Sequence, residues 1–179
     1  MLKSIEGNFD NSEVHELLIK HFIELKSVSP DGSAHVLDIA GLKDPSIKFW
    51  SLWEESDLMG SGALKFLDKE HGEFKSIRVN DKFRGKGNGS KVINHLIDEA
   101  KKLNIKRLSL ETGAGDFFLS ARKLFNKSGF ERTKPFSHYK NDINSVYMTL
   151  LIHLLGGRGK AHITARLSKD ALIKSTRMA

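Results

Sequence analysis

A glycine-rich stretch wedged between a strand and a helix limits this chain more than any other feature. Residues 73–79, Glu-Phe-Lys-Ser-Ile-Arg-Val, read as a strand. Val92, Ile93, Leu96, Ile97 and Ala100 recur at helical spacing, so residues 87–103 read as a helix. Between the two stands Arg84-Gly85-Lys86-Gly87-Asn88-Gly89-Ser90. A helix start leaves its first backbone N–H groups unpaired at the positive end of the helix dipole, and glycines let a ligand approach that backbone closely. Arg84 and Lys86 add positive charge, so the loop calls for a pyrophosphate-like anion. Two familiar phosphate-binding patterns fail. The nucleoside-triphosphate loop ends Gly-Lys-Ser/Thr, whereas Gly85-Lys86 is followed by Gly87, and the dinucleotide pattern Gly-x-Gly-x-x-Gly places Ser90 where its last glycine belongs. A flexible surface turn is the plain alternative.

The remaining pattern supplies a sheet and its helices. Asn11 or Ser12 caps a helix over residues 12–26, with Glu13 and Glu16 in its first turn and Val14, Leu17, Leu18, Phe22 and Leu25 on one face. The turn cluster Ser29-Pro30-Asp31-Gly32 follows, then a short helix over residues 36–42 closed by Pro45. Residues 47–53 and 58–67 read as a hairpin, with the 73–79 strand antiparallel beside it. Trp50 and Trp53 are placed on one face of the first of these strands, where core packing outranks substrate stacking. Downstream, residues 105–110 form a strand, residues 117–127 a helix closed by Gly129, and residues 145–152 a last strand. The expected fold class is α/β (α+β), a mixed central sheet flanked by helices.

Composition narrows the function classes. A chain of 179 residues fits one domain. With no Cys there is no disulfide framework, no thiolate nucleophile and no Cys-ligated metal, and no metal site is expected. No apolar run reaches bilayer length, and Met1-Leu2-Lys3-Ser4-Ile5-Glu6 lacks the basic start and apolar stretch of a secretory leader. A soluble, cytoplasmic chain with no membrane partner is the expectation. The net charge of +7 invites a nucleic-acid reading, but the excess is uneven. Six basic residues and one acid, Asp170, fall in residues 150–179, out of 29 basic and 22 acidic residues in the whole chain. These last residues read as a basic extension without chemistry, and residues 1–149 as the functional body. The extension has few aromatics for base stacking, so nucleic acid is not the expected partner.

Arg84-Gly85-Lys86-Gly87-Asn88-Gly89 matches the Arg/Gln-x-x-Gly-x-Gly/Ala signature, and through it the chain resembles the GNAT superfamily of acyl-CoA-dependent N-acetyltransferases. The resemblance runs from Phe74 to Phe130 as strand, loop, helix, a strand ending Leu110-Glu111-Thr112-Gly113, helix and Gly129-Phe130. His35, Phe49-Trp50, Gly62-Ala63-Leu64, Lys75-Ser76, Pro135-Phe136, Tyr139 and Ser145-Val146 resemble a YsnE-like bacterial subgroup of it. The resemblance implies the GNAT fold with splayed central strands and acetyl-CoA as co-substrate. Its pyrophosphate would rest on the backbone of Gly85, Gly87, Gly89 and Ser90 with Arg84, Lys86 and Asn88 beside it, and its pantetheine arm along Ile77, Arg78 and Val79. The implied reaction is direct transfer of the acetyl group to the amine of a small-molecule or amino-acid-like acceptor. Protein N-termini or lysines are alternative acceptors, a non-catalytic acyl-CoA-binding regulatory module is the alternative class, and a homodimer stays open.

One departure from the family pattern matters for chemistry. The usual proton donor to the leaving thiolate is Tyr in Leu-Tyr-x-x-x-Gly-Phe, and here Leu124-Phe125 stands at that place. Phe125 has no proton to give, so either another group such as Tyr139 acts as the acid, or water does, or the thiolate leaves unprotonated. Glu111 and Glu73, on the two strands that border the splay, are the candidate bases. Their plain readings are a carboxylate serving the amides after Glu111 and a solvated strand-end charge at Glu73. His35 and Lys75 are candidates for the acceptor pocket. Arg78 shares with Lys75 the option of meeting an acceptor carboxylate.

Overall fold

The computed structural model describes residues 2–152, and the extension expected over 150–179 lies outside the described residues beyond Ile152. Asn11 starts the first helix: its side-chain oxygen accepts from the amides of Glu13 (3.0 Å) and Val14 (3.2 Å). The helix, α1, runs Ser12–Val28 and buries Val14, Leu17, Leu18 and His21. Asp38 caps a shorter helix than expected, α2 at Ile39–Leu42, by accepting from Gly41 N at 2.7 Å. A cap at residue 38 leaves residues 36–38 outside the helix, which corrects the expected 36–42.

The strands are β1 Leu2–Glu6, β2 Ile47–Glu54, β3 Asp57–Phe66, β4 His71–Val79, β5 Arg107–Gly113, β6 Glu131–Arg132 and β7 Ser145–Leu151. They form one sheet in the order β1-β2-β3-β4-β5-β7-β6. All neighbours are antiparallel except β4 and β5, which are parallel and joined by the crossover helix α3, Asn88–Lys102. A second crossing helix, α4 at Leu119–Lys127, follows β5. β1 and β6 carry no alternating apolar signal, and β1 is an edge strand that is mostly exposed.

The sheet separates two cores. On one face Trp50, Leu52, Met59, Phe74, Leu108 and Leu110 pack against Val92, Ile93, Leu96 and Ile97 of α3 and Phe125 of α4. On the other, Phe49, Trp53, Leu58 and Ala63 pack against Val14, Leu17 and Leu18 of α1 and Leu42 of α2. Trp50 and Trp53 therefore face opposite sides, contrary to expectation, because alternation in a strand sends residues an odd number apart to opposite faces. Both remain core residues. The helix α3 lies close enough to β3 that a β-carbon at Gly62 would come within 2.4 Å of Leu96 Cδ1, so the glycine is what admits Leu96. Leu96 is wholly buried beneath that contact. Leu96→Ala should cost about 3 kcal/mol of stability, read from urea unfolding midpoints, by leaving a cavity that the sheet cannot collapse into.

Candidate acetyl-transfer site

Three residue pairs hold β4 to β5: His71 with Arg107, Gly72 with Leu108 and Glu73 with Ser109. Past Glu73 the two strands part. β4 carries a bulge there, seen as a register slip against Ser61 and Ala63 of β3 and as a left-handed backbone at Ser76 with φ of 50°. A bulge bends its strand, and the bend opens a cleft of about 650 Å³ between β4 and β5. Ile77, Arg78 and Val79 line it from β4, and Leu110, Glu111, Thr112 and Gly113 from β5. β4 thus keeps a free backbone edge along the cleft.

The glycine loop lies at one end. Gly85 and Gly87 adopt φ of 76° and 77°, the left-handed region that glycine enters without strain. Nothing stands within 4 Å of where their β-carbons would be, so the loop presents open backbone to the cleft. Among the described residues, the amides of residues 85–89 donate to no backbone oxygen, while Arg84 N bonds Asp81 O and Ser90 N bonds Gly87 O. Consecutive free amides at a helix start fit a pyrophosphate. Arg84, Gly85, Gly87, Gly89 and Ser90 line the cleft, whereas Lys86 does not. The Asn88 side chain turns inward, donating through Nδ2 to Phe83 O at 2.9 Å, so it shapes the loop. Asp81 accepts from Arg84 Nε at 3.1 Å and aims that guanidinium.

Arg78 lends the cleft its backbone, but its side chain points to α1. It is 6% exposed, pairs with Glu24 of α1 and reaches Asp81 Oδ1 at 3.4 Å. That ion pairing takes up its charge, so a carboxylate on an acceptor meets no free guanidinium at Arg78.

The remaining candidates gather on the α1 side of the parted strands. Glu111 lines the cleft and accepts from Ser145 Oγ at 2.7 Å. Burial pushes its carboxyl above the usual carboxylate range, against the Ser145 hydrogen bond and the nearby His35 and Lys75. Glu73 does not line the cleft. It is wholly buried, not a solvated strand end, and accepts from Tyr139 Oη at 2.5 Å and Lys75 Nζ at 3.1 Å. Lys75 also donates to Tyr139 Oη at 2.8 Å and to the His35 carbonyl at 3.1 Å, while the His35 ring stands edge-on to Tyr139. Burial, then the Glu73 charge, hold the Tyr139 hydroxyl far above its ordinary pKa.

Several cleft residues carried no signal in the sequence. Ser76 has none, since a bulge is a property of strand pairing. Leu25, Ser29, Ser33, Ala34 and Val36 wall the side nearest α1, and Phe117, Phe118, Ala121, Leu124 and Phe125 wall the side nearest α4. His21 also lines the cleft, and only its place on the buried face of α1, with Leu17 and Leu18, hinted at it.

A parallel pair that splits beside a loop of free amides leaves a cleft with those amides at one end and an unpaired strand edge along it, the form of site that the GNAT resemblance implies for an N-acyltransferase. Comparison with known proteins specifies it further. The sequence pattern of the acetyltransferase (GNAT) family matches residues 11–130, and the chain belongs to that family. It is 44% identical over 137 residues to the uncharacterized N-acetyltransferase YsnE of Bacillus subtilis, covering 76% of this chain and 91% of that one. It is 37% identical over 139 residues to the uncharacterized N-acetyltransferase YedL of Escherichia coli, covering 78% and 87%. A Bacillus subtilis acetyltransferase solved in complex with CoA shares the fold with a TM-score of 0.63 at 20% identity, covering 86% of this chain and all of that one. The chain is thus an acyltransferase of this family. Among the described residues no helix is long and apolar enough to cross a membrane.

The buried His21 ring makes stability sensitive to acid. Burial, then the Arg78 charge, lower its pKa from 6.5 to about 4. The unfolded chain takes up this proton near pH 6.5 and the folded one refuses it, so the fold has its full stability above that pH and loses it between 6.5 and 4. At pH 5 the loss from this group should be about 2 kcal/mol relative to pH 7, and His21→Gln should flatten the difference in paired urea titrations.

Proposed function

We propose that the chain moves the acetyl group of acetyl-CoA directly to the amine of a small, amino-acid-like acceptor, with Glu111 as the base. The observation that carries this reading is the placement of a buried carboxylate with raised proton affinity on the wall of the cleft where β4 and β5 part. When bound, acetyl-CoA supplies an activated thioester. The amides of Gly85, Gly87 and Gly89, with Arg84, would hold its pyrophosphate, and the free edge of β4 at Ile77, Arg78 and Val79 its pantetheine arm. The apolar side chains Phe117, Phe118, Ala121, Leu124 and Phe125 keep water from that arm. Glu111 accepts the proton that the acceptor amine must lose before it attacks, and a carboxyl held above its usual range is suited to that near neutral pH. Ser145 keeps this carboxylate aimed.

On this reading the acceptor enters the side of the cleft walled by α1 and the segment after it. α1 supplies Leu25 and Ser29, and the following segment supplies Ser33, Ala34, His35 and Val36. His35 with the Ser29 and Ser33 hydroxyls are the groups offered to the acceptor's polar end. The three N–H bonds of Lys75 are already directed at Glu73, Tyr139 and the His35 carbonyl, which removes it from direct recognition.

Calorimetric titration with acetyl-CoA tests the donor site. Wild type should bind, and Gly87→Glu should not, because its carboxylate would face the pyrophosphate; failure of the wild type to bind would overturn the reading. Glu111→Gln should keep acetyl-CoA affinity and lose about a hundredfold or more in turnover against a panel of amino acids and small amines. Undiminished turnover would remove Glu111 from the base role.

A further inference from the structure

We infer that Glu73, Lys75 and Tyr139 are positioning residues: a buried charge pair and its hydroxyl clamp, set directly across the strand gap from Glu111 to fix the field in which that carboxylate holds its proton. The inference rests on the reading of Glu111 as the base.

The geometry comes from strand register. Glu73 is the last β4 residue paired with β5, opposite Ser109. Two residues on along each strand, on the same face, stand Lys75 and Glu111. Lys75 is therefore the first charged group across the opening from Glu111, and both line the cleft. Lys75, whose side chain is 10% exposed, pairs at 3.1 Å with Glu73, whose side chain is wholly buried. Tyr139 closes the pair by donating to Glu73 Oε1, and the His35 carbonyl takes the third Lys75 bond, so the ammonium has no freedom to swing. Among the described residues Glu73 Oε2 has no hydrogen-bond partner.

The charged and titratable groups facing Glu111 are few. β4 contributes Lys75 and Glu73, the segment after α1 contributes His35, β7 contributes Tyr147 beside the Ser145 hydroxyl, and the loop before β7 contributes Tyr139. Lys75 and His35 stabilise the Glu111 charge, and Glu73 opposes it by less than Lys75 helps. Removing either member of the pair then has opposite consequences. Glu73→Gln leaves the Lys75 ammonium unopposed, so the Glu111 midpoint falls. Lys75→Met removes the cation that favours the Glu111 charge and leaves Glu73 to oppose it, so the Glu111 midpoint rises.

The test is a carboxyl-carbon NMR titration of the full chain carrying labelled glutamate, with the Glu111 resonance assigned by its loss in Glu111→Gln. Midpoint shifts of about half a unit or more, downward in Glu73→Gln and upward in Lys75→Met, are expected, and Lys75→Arg should stay close to wild type. Unmoved midpoints, or shifts of the same sign in both variants, overturn the inference. Glu73→Gln is nearly isosteric and decides the downward arm even if Lys75→Met fails to fold. The titration requires no acceptor, so it is read separately from turnover by Glu111→Gln, which judges the base assignment itself.

Discussion

The parting of β4 from β5 after three pairs is the constraint on which the rest of the site depends. A parallel pair buried between two helical layers ordinarily continues its ladder, because unpaired backbone away from water is costly. Here the bulge at Ser76 ends the ladder early and leaves a free edge of β4 along the cleft. The antiparallel pairing of β4 with β3 on one side, and of β5 with β7 on the other, keeps both strands in place once they have separated. The cleft is thus held open by the sheet itself, and loops only finish it.

The two ends of the cleft are tied together through charges on the α1 side. Arg78, on the cleft-lining stretch of β4, is held by Glu24 of α1 and approaches Asp81. Asp81 in turn holds Arg84 of the glycine loop and Lys20 of α1. The exposed members of this chain, Lys20 and Arg84, contribute little stability, as surface pairs do. The buried arginine is different, since its guanidinium fixes where α1 sits against β4. One helix therefore serves both the cleft wall, through Leu25 and Ser29, and the orientation of the glycine loop.

What the sequence disclosed, and what it hid, follows from how local each signal is. The loop at residues 84–90 was legible because free amides, glycine and positive charge act within a few residues of one another. The helix α1 was legible from its cap and periodicity, α3 from its periodicity, and the three antiparallel strands β2, β3 and β4 from their residues, while the splay of the central strands came only through family resemblance. Ser76 was not legible, because a left-handed residue in a strand arises from pairing with β3. The burial of Glu73 was hidden for a related reason: a glutamate near a strand start reads as solvated until Lys75 and Tyr139, the latter 66 residues away, are seen to close over it. The two tryptophans were assigned to one face by their nearness in sequence, and simple alternation would have separated them. β1 was missed because Leu-Lys-Ser-Ile-Glu gives an edge strand no apolar face to advertise.

Phe125 changes the economy of the reaction. The cleft wall nearest α4 is apolar apart from Lys127 and Ser120, and Tyr139 spends its hydroxyl on Glu73. On the proposed reading, no tyrosine on that wall donates to the departing group, so the C–S bond breaks to release CoA as its thiolate, which takes up its proton after it leaves the dry wall. Proton handling is then concentrated at the other side of the gap, on one carboxylate braced by Ser145 and facing Lys75. A site arranged in this way depends on the proton affinity of its base more than one in which acid and base share the task, because no second group compensates when the base is wrongly charged. Such dependence gives the costly burial of Glu73 a reason. The register of β4 against β5 places Glu111 as the charge on which this ion pair acts.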